Sequence, residues 1–215
     1  MRAVLALIVS LAFLAGCGGD DSETAESVAA GADECASVDA PEARNPEPGE
    51  APAEPLDASK TYTLILDTSC GSFTITLDQE LAPQTAASLV ALANAGYFDD
   101  TIFHRVVPGF VIQGGDPTQS GGGGPGYSTV DVPPTDSAYT QGVVAMAKSG
   151  VEAPGTSGSQ FFVVSGDDAG LPPEYAIVGE VTDGLDTVLR IDALGVGDGP
   201  PSQPVVVNTV TVGES

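Results

Sequence analysis

"FHRVVPGFVIQGGDP", residues 103–117, places the chain's one histidine, His104, and one of its six Lys and Arg residues, Arg105, in a run that is otherwise apolar or turn-forming. Its β-branched residues sort into two strands, "TIFHRVV" at 101–107 and "GFVIQGG" at 109–115, with Gly114, Gly115 and Asp116 as a turn. A lone histidine here is as readily a hydrogen-bonded structural residue as a reactive one. An isolated arginine is ordinarily a surface ion-pair partner. What the pair does depends on what the rest of the chain brings to it.

The strand pattern continues on both sides. Upstream, "YTLILDT" (62–68) and "GSFTITL" (71–77) are β-rich, with Phe73, Ile75 and Leu77 on one face and "SCG" as a hairpin turn. Downstream, "VVAMA" (143–147), "QFFVVS" (160–165), "YAIVGEV" (175–181) and "VVVNTVTV" (205–212) are further strands. Eight short strands between Gly and Pro turns predict a closed antiparallel barrel or a sandwich, since closure removes unpaired edges. Two segments have helical spacing instead. "APQTAASLVALANAGYF" carries Pro83 in its first turn, sets Ala86, Leu89, Val90 and Ala93 on one face and stops at Gly96; "DGLDTVLRIDAL" aligns Leu185, Val188, Leu189 and Asp192. Two such helices would cap a barrel's ends. The tract "QSGGGGPGYSTVDVPP" is a long loop, of the kind that is functional or mobile.

Residues 18–59 are rich in Ala, Pro and acid and nearly devoid of large apolar side chains, which predicts a disordered, self-repelling spacer. Thirty Asp and Glu against six Lys and Arg give a net charge of -24. That excess repels phosphate backbones and anionic headgroups, which argues against a nucleic-acid partner and favours a soluble monomer. At the start, Arg2 precedes an apolar run from Ala3 to Ala15. The run is short of the roughly 20 residues a bilayer needs and reads as an export signal.

The end of that signal, "LAGC" from Leu14 to Cys17, resembles the lipobox of bacterial lipoproteins. The resemblance implies cleavage after residue 16, lipid on Cys17 and a tether on the extracytoplasmic face of the bacterial cell membrane. An ordinary signal peptide that happens to contain a cysteine is the alternative. Cys35 and Cys70 then remain, and since an exported chain lives where thiols oxidise, a single Cys35–Cys70 disulfide that clips the end of the linker onto the domain is the economical reading; two free thiols are the alternative. Two cysteines and one histidine are too few for a zinc site, so no metal is expected.

Several suggestive patterns fail on inspection. "GVVAMAKS" (142–149) departs from the phosphate-binding G-x-x-x-x-G-K-[ST] pattern at Ala147, and its apolar interior is a strand where that motif needs a flexible loop. "GGGGPG" (121–126) has no neighbouring lysine. Thr156, Ser157 and Ser159 lie outside any G-x-S-x-G elbow, and His104 would have to serve as their base. In a chain this acidic, paired carboxylates carry no information.

Taken together, "FHRVVPGFVIQGGDP", "GVVAMAK", "GTSGSQFFVV" and "LPPEYAIVGEV" resemble the cyclophilin family of peptidyl-prolyl cis-trans isomerases, in the family's order of segments from about Lys60 to Val212. The resemblance implies a closed eight-stranded antiparallel β-barrel capped by two α-helices. The chain then divides into a lipoprotein signal (1–16), a lipidated and disordered linker (17–59) and an isomerase domain (60–215). It also implies an enzyme with no cofactor and no covalent intermediate, acting on Pro-containing segments of exported proteins and assisting their folding. A binding or chaperone module that holds such segments without catalysis is the alternative.

By the same resemblance Arg105 is the catalytic hydrogen-bond donor to the twisted amide. Phe110, Val111 and Phe162 form the pocket for the proline ring, with Leu171 and Tyr175 at its wall. Gln113 orients Arg105 and contacts the peptide, Gln160 adds a polar contact, Ala147 and Lys148 offer backbone to the substrate, and His104 shapes the site beside Arg105. The chain departs from the family at Val111, where many members have Met, at Lys148 for Asn, at Tyr175 for His and at Gly170 for Trp. The insertion "VEA" (151–153) lengthens a loop beside the groove.

Overall fold

The computed structural model describes residues 34–215. The export signal, Cys17 and the first part of the spacer lie outside the described residues. The elements follow in the order β1 (Tyr62–Thr68), β2 (Gly71–Leu77), α1 (Pro83–Asn94), β3 (Thr101–Ile102), β4 (Arg105–Val107), β5 (Val111–Gly114) and β6 (Thr129–Val130). Then come β7 (Val143–Met146), β8 (Thr156–Ser157), β9 (Phe161–Val164), β10 (Ile177–Asp183), α2 (Leu185–Asp192) and β11 (Val206–Glu214). Nine strands form one sheet in the order β3-β11-β1-β2-β10-β7-β9-β5-β4, and β6 pairs with β8. Every pairing is antiparallel.

The expected closed eight-stranded barrel is corrected: the sheet is a curled half-barrel with β3 and β4 as its two edges. These edges are consecutive in the chain, separated only by Phe103 and His104. Phe103 is fully buried, with ring centroids 6.4 Å from Phe73 and 6.3 Å from Phe161. Sinking that ring into the core takes residues 103–104 out of the ladder and divides the strand predicted at 101–107. Phe103 N–H still donates to Val205 O at 3.0 Å, one step beyond the β3–β11 pairing, and a single backbone bond, Val106 N–H to Gly199 O at 2.8 Å, ties β4 to the segment before β11. The curl itself follows from register shifts in β1, β10 and their partners. At Gly179 a Cβ would collide with the Thr76 carbonyl, so that bulge admits only glycine.

Period-2 alternation gives the central strands two buried faces. Ile112, Val144, Met146, Phe161 and Val163 point into the main core with α1 and α2, whereas Val111, Ala145, Phe162 and Val164 point the other way into a second cluster with Tyr139. Burial on both sides is why "VVAMA" and "QFFVVS" are continuously apolar rather than alternating.

Helix α1 buries Ala86, Leu89, Val90 and Ala93 as its spacing predicts. Its N-cap, Ala82, supplies no side-chain bond. Asp131 does so from a distant loop, accepting from Thr85 N–H at 2.7 Å and Thr85 Oγ1–H at 2.6 Å, a carboxylate at the positive end of the helix. In α2 the buried face is Thr187, Val188 and Ile191, rotated from the predicted one: Leu189 is 40% exposed. Asp192 instead accepts from Gly109 N–H at 3.0 Å and from Ser165 Oγ–H at 2.6 Å, tying the β4–β5 turn to the end of β9.

Residues 34–59 carry no helix or strand. They nevertheless lie on the domain rather than extending as a free spacer. Cys35 and Cys70 are disulfide-bonded. Ala36 N–H donates to Ser69 O at 2.7 Å, Arg44 N–H to Pro117 O at 2.8 Å and Gly49 N–H to Pro125 O at 2.8 Å. The Arg44 guanidinium also donates to the carbonyls of Tyr97 and Asp99. A segment with little apolar surface is thus held by a covalent link and backbone bonds. No described helix is long and apolar enough to cross a membrane.

Candidate functional site

Strand register assembles the site. Arg105 on β4 stands opposite Gln113 on β5, Gln113 opposite Phe162 on β9, and Phe162 opposite Ala145 on β7. Four paired residues therefore form a row across four strands, on the face of the second cluster. That row opens into a cavity of about 270 Å³ lined by Arg105, Phe110, Val111, Gln113, Ala147, Lys148, Phe162, Leu171 and Tyr175. Nine of the eleven residues carried over from the family pattern as catalytic or substrate-binding thus surround one hollow.

Its floor is a cage of rings. Phe162 and Tyr175 meet edge to face at 5.7 Å, and Tyr139 lies 6.4 Å from Phe162 and 6.1 Å from Tyr175. Tyr139 is fully buried, and its hydroxyl donates to Tyr175 O at 2.7 Å while accepting from Tyr175 N–H at 3.1 Å. No motif marks this residue's role, since its partner lies 36 positions away. Burial pushes the Tyr139 phenol above its ordinary range, so it stays a neutral donor.

At the rim the Arg105 guanidinium is held on every nitrogen. Nε donates to Asp198 Oδ1 at 2.5 Å, Nη2 to Asp198 Oδ2 at 3.1 Å and Nη1 to Gln113 Oε1 at 3.2 Å. Its Cζ lies 5.9 Å from the centroid of the Phe110 ring. Gln113 Nε2–H in turn donates to Gln160 Oε1 at 3.1 Å, and Gln160 Nε2–H to Gly123 O at 3.0 Å. This chain of amides fixes which end of each carboxamide is oxygen and ties Arg105 to the glycine tract. Gln160 itself borders an adjoining cavity of about 480 Å³, which shares Gln113, Ala147 and Lys148 with the first and is walled by residues 121–128.

The glycine tract is organised by one carboxylate. Asp116, fully buried, accepts from Thr118 N–H, Thr118 Oγ1–H, Gly121 N–H and Gly123 N–H at 2.7 to 3.1 Å. A Cβ on Gly123 would overlap the Asp116 carboxylate, so the loop closes on it only with glycine there. Burial pushes the Asp116 pKa up, but the bonds from Thr118, Gly123 and Gly121 outweigh it and hold the group below its ordinary range.

His104 lines neither cavity. Its ring lies under Gly121 with both nitrogens buried. Burial lowers its pKa, opposed by the nearby Asp116 carboxylate, which leaves the imidazole neutral at pH 7. Lys148 turns its amine away under Tyr175, 5.3 Å from that ring's centroid and 3.1 Å from Glu174 Oε2, with only 3% of the side chain exposed. It also donates to Glu152 O at 3.3 Å, which anchors the "VEA" loop.

The arrangement offers an apolar hollow, one immobilised guanidinium and a polar channel beside it. Among the described residues no group of three or more His, Cys, Asp or Glu side chains is placed to hold a metal ion.

A family model, cyclophilin type peptidyl-prolyl cis-trans isomerase/CLD, matches residues 63–212. The chain is 37% identical over 170 residues to a probable peptidyl-prolyl cis-trans isomerase A of Mycobacterium leprae, covering 70% of this chain and 91% of the relative. Among solved structures it is similar to a cyclophilin type peptidyl-prolyl cis-trans isomerase of Cryptosporidium parvum, with a TM-score of 0.65 and 30% identity over 71% of this chain and 98% of the other. The same protein solved in the presence of the dipeptide Ala-Pro gives a TM-score of 0.64 at 29% identity, over 70% of this chain and 98% of that one. With the family pattern matched across the whole sheet and the fold shared, the chain belongs to the cyclophilin-type peptidyl-prolyl cis-trans isomerases.

Proposed function

We propose that the chain accelerates X-Pro isomerisation with Arg105 as its catalytic residue and the ring-floored hollow as its proline seat. The X-Pro bond crosses a barrier of about 18–20 kcal/mol set by amide resonance, while its two isomers differ by only about 0.5–1 kcal/mol. A catalyst therefore needs no nucleophile, only a surface that binds the twisted amide better than either planar form. Phe110, Val111, Phe162, Leu171 and Tyr175 hold the ring still. As resonance is lost, the prolyl nitrogen regains a lone pair, and a fixed cationic N–H donor at its edge favours that state. Gln113 orients the donor and, with Gln160, faces the peptide backbone; Ala147 and Lys148 border the groove where the peptide would lie. His104 supports the glycine tract from beneath.

The observation that carries this reading is the Arg105 guanidinium, held by three hydrogen bonds at the rim of the apolar cavity. A protease-coupled assay tests it. Arg105→Ala is expected to lose about 100- to 1000-fold in kcat/KM, the scale of removing one charged donor from a developing charge. A variant as fast as the parent overturns the assignment of Arg105, and a parent that binds the peptide without speeding its isomerisation is a proline-binding module instead.

The proposed setting is the extracytoplasmic face of a bacterial membrane, where the chain works as a lipid-anchored monomer on exported proteins. Support comes from the "LAGC" stretch ending at Cys17 and from the Cys35–Cys70 disulfide, a bond that persists in oxidising compartments. Mass spectrometry of the mature N-terminus decides it: an acylated Cys17 is expected, and a chain cut elsewhere or carrying an unmodified cysteine refutes the anchor.

A further inference from the structure

Arg105 lies on an edge strand and its side chain is long, so something must fix its last three torsions before it can act as an aimed donor. Gln113 holds one terminal nitrogen. The other two nitrogens are held by Asp198, which sits in the loop between α2 and β11, outside the cavity and outside every motif that marked the site. Resting on the reading of Arg105 given above, we infer that Asp198 is a positioning residue for the isomerisation: its carboxylate clamps the Nε–Nη2 edge and aims the remaining N–H groups at the prolyl amide.

Three observations support a built contact rather than a chance surface pair. The pairing is bidentate, the geometry in which a planar guanidinium and carboxylate match. The backbone locks the two residues together, because Val106, next to Arg105, donates its N–H to Gly199 O, next to Asp198, at 2.8 Å. The loop is further seated by Ser202 N–H on Leu194 O at 2.8 Å and by Gly195, which has no room for a Cβ against Pro108. The Asp198 side chain is 67% exposed, so the pair adds little to folding. Its role is geometric. After the clamp and Gln113 are satisfied, two of the five guanidinium N–H bonds stay free, one on each terminal nitrogen.

Asp198 then matters through Arg105 alone, which a double-mutant cycle measures. Asp198→Asn should lower kcat about tenfold with KM within about twofold, the size expected when a catalytic group loses its aim. Asp198→Glu should recover part of the loss. In the Arg105→Ala background the same substitution should change nothing, with rates read by NMR exchange at high enzyme concentration. The Arg105 Nε–H resonance supplies an independent readout: slow to exchange with water in the parent, and fast in Asp198→Asn. An Asp198→Asn variant as active as the parent overturns the inference, as does one that is faster, because the pair would then be a latch that substrate must break. An equal loss with and without Arg105 also overturns it, pointing to the loop. If instead Arg105→Ala alone is fully active, the isomerase assignment of Arg105 fails first, and the two failures stay distinct.

Discussion

At Tyr139 one hydroxyl serves both the N–H and the carbonyl of Tyr175, inside a ring cluster that floors the cavity. Tyr139→Phe keeps the ring and strands two backbone groups, which is expected to cost about 1–3 kcal/mol in urea unfolding. An unchanged midpoint would show that water replaces the hydroxyl. Beside the exposed carboxylates of Asp57, Glu152 and Asp198, His104 and Asp116 are the groups with buried titrating atoms that feed the acid response. Both have folded pKa values below their ordinary ones, so between the two values the unfolded chain binds more protons and stability rises with pH. On acidification the His104 contribution declines from its ordinary 6.5 downward, and that of Asp116 from 3.8 downward. Urea midpoints should therefore fall in two stages from pH 7 to pH 3, and His104→Phe should remove the upper one; a flat profile above pH 5 in the parent contradicts this account of His104.

Among the elements, the strands were legible because apolar alternation or continuous apolar runs report how many faces are buried. Phe73, Ile75 and Leu77 show one buried face; "QFFVVS" shows two. The break after Ile102 was not legible, because a buried phenylalanine suits a strand as well as the turn inward that Phe103 makes. Nor were the carboxylates. Asp116, Asp131, Asp192 and Asp198 each organise a loop, a helix start or a side chain, yet all but Asp116 accept from groups tens of positions away. Among thirty acidic residues, sequence has no means of separating them from solvated surface. In the segment from residue 34, composition argues against a core and the two cysteines point to a covalent link, but the backbone bonds that seat the segment on the domain leave no mark in its sequence. Reducing Cys35–Cys70, which are 35 positions apart, should destabilise the domain by up to about 4 kcal/mol on the loop-entropy scale. Calorimetry with and without reductant measures it; identical transitions would mean that residues 34–59 release without consequence for the sheet.

Over the whole molecule, the half-barrel sets one of the few bases of an acidic chain at the rim of an apolar hollow. Successive pairing of β4 with β5 and of β5 with β9 sets Arg105, Gln113 and Phe162 in one register row at a ring-lined hollow. The family pattern made most of that row legible, because its residues cluster in four short motifs; the supports beneath and beside it, Tyr139 and Asp198, lie in none of them. Two of the chain's six bases, Arg105 and Lys148, border this cavity, and both are paired with carboxylates. On this reading the hollow and its arginine turn an X-Pro bond, which NMR exchange spectroscopy on a short peptide with a single Ala-Pro bond can decide: catalytic amounts of the chain should bring the cis and trans resonances into exchange, and Arg105→Ala should leave them separate while still shifting on binding. Binding shifts without exchange in the parent, or equal exchange in the variant, would contradict it.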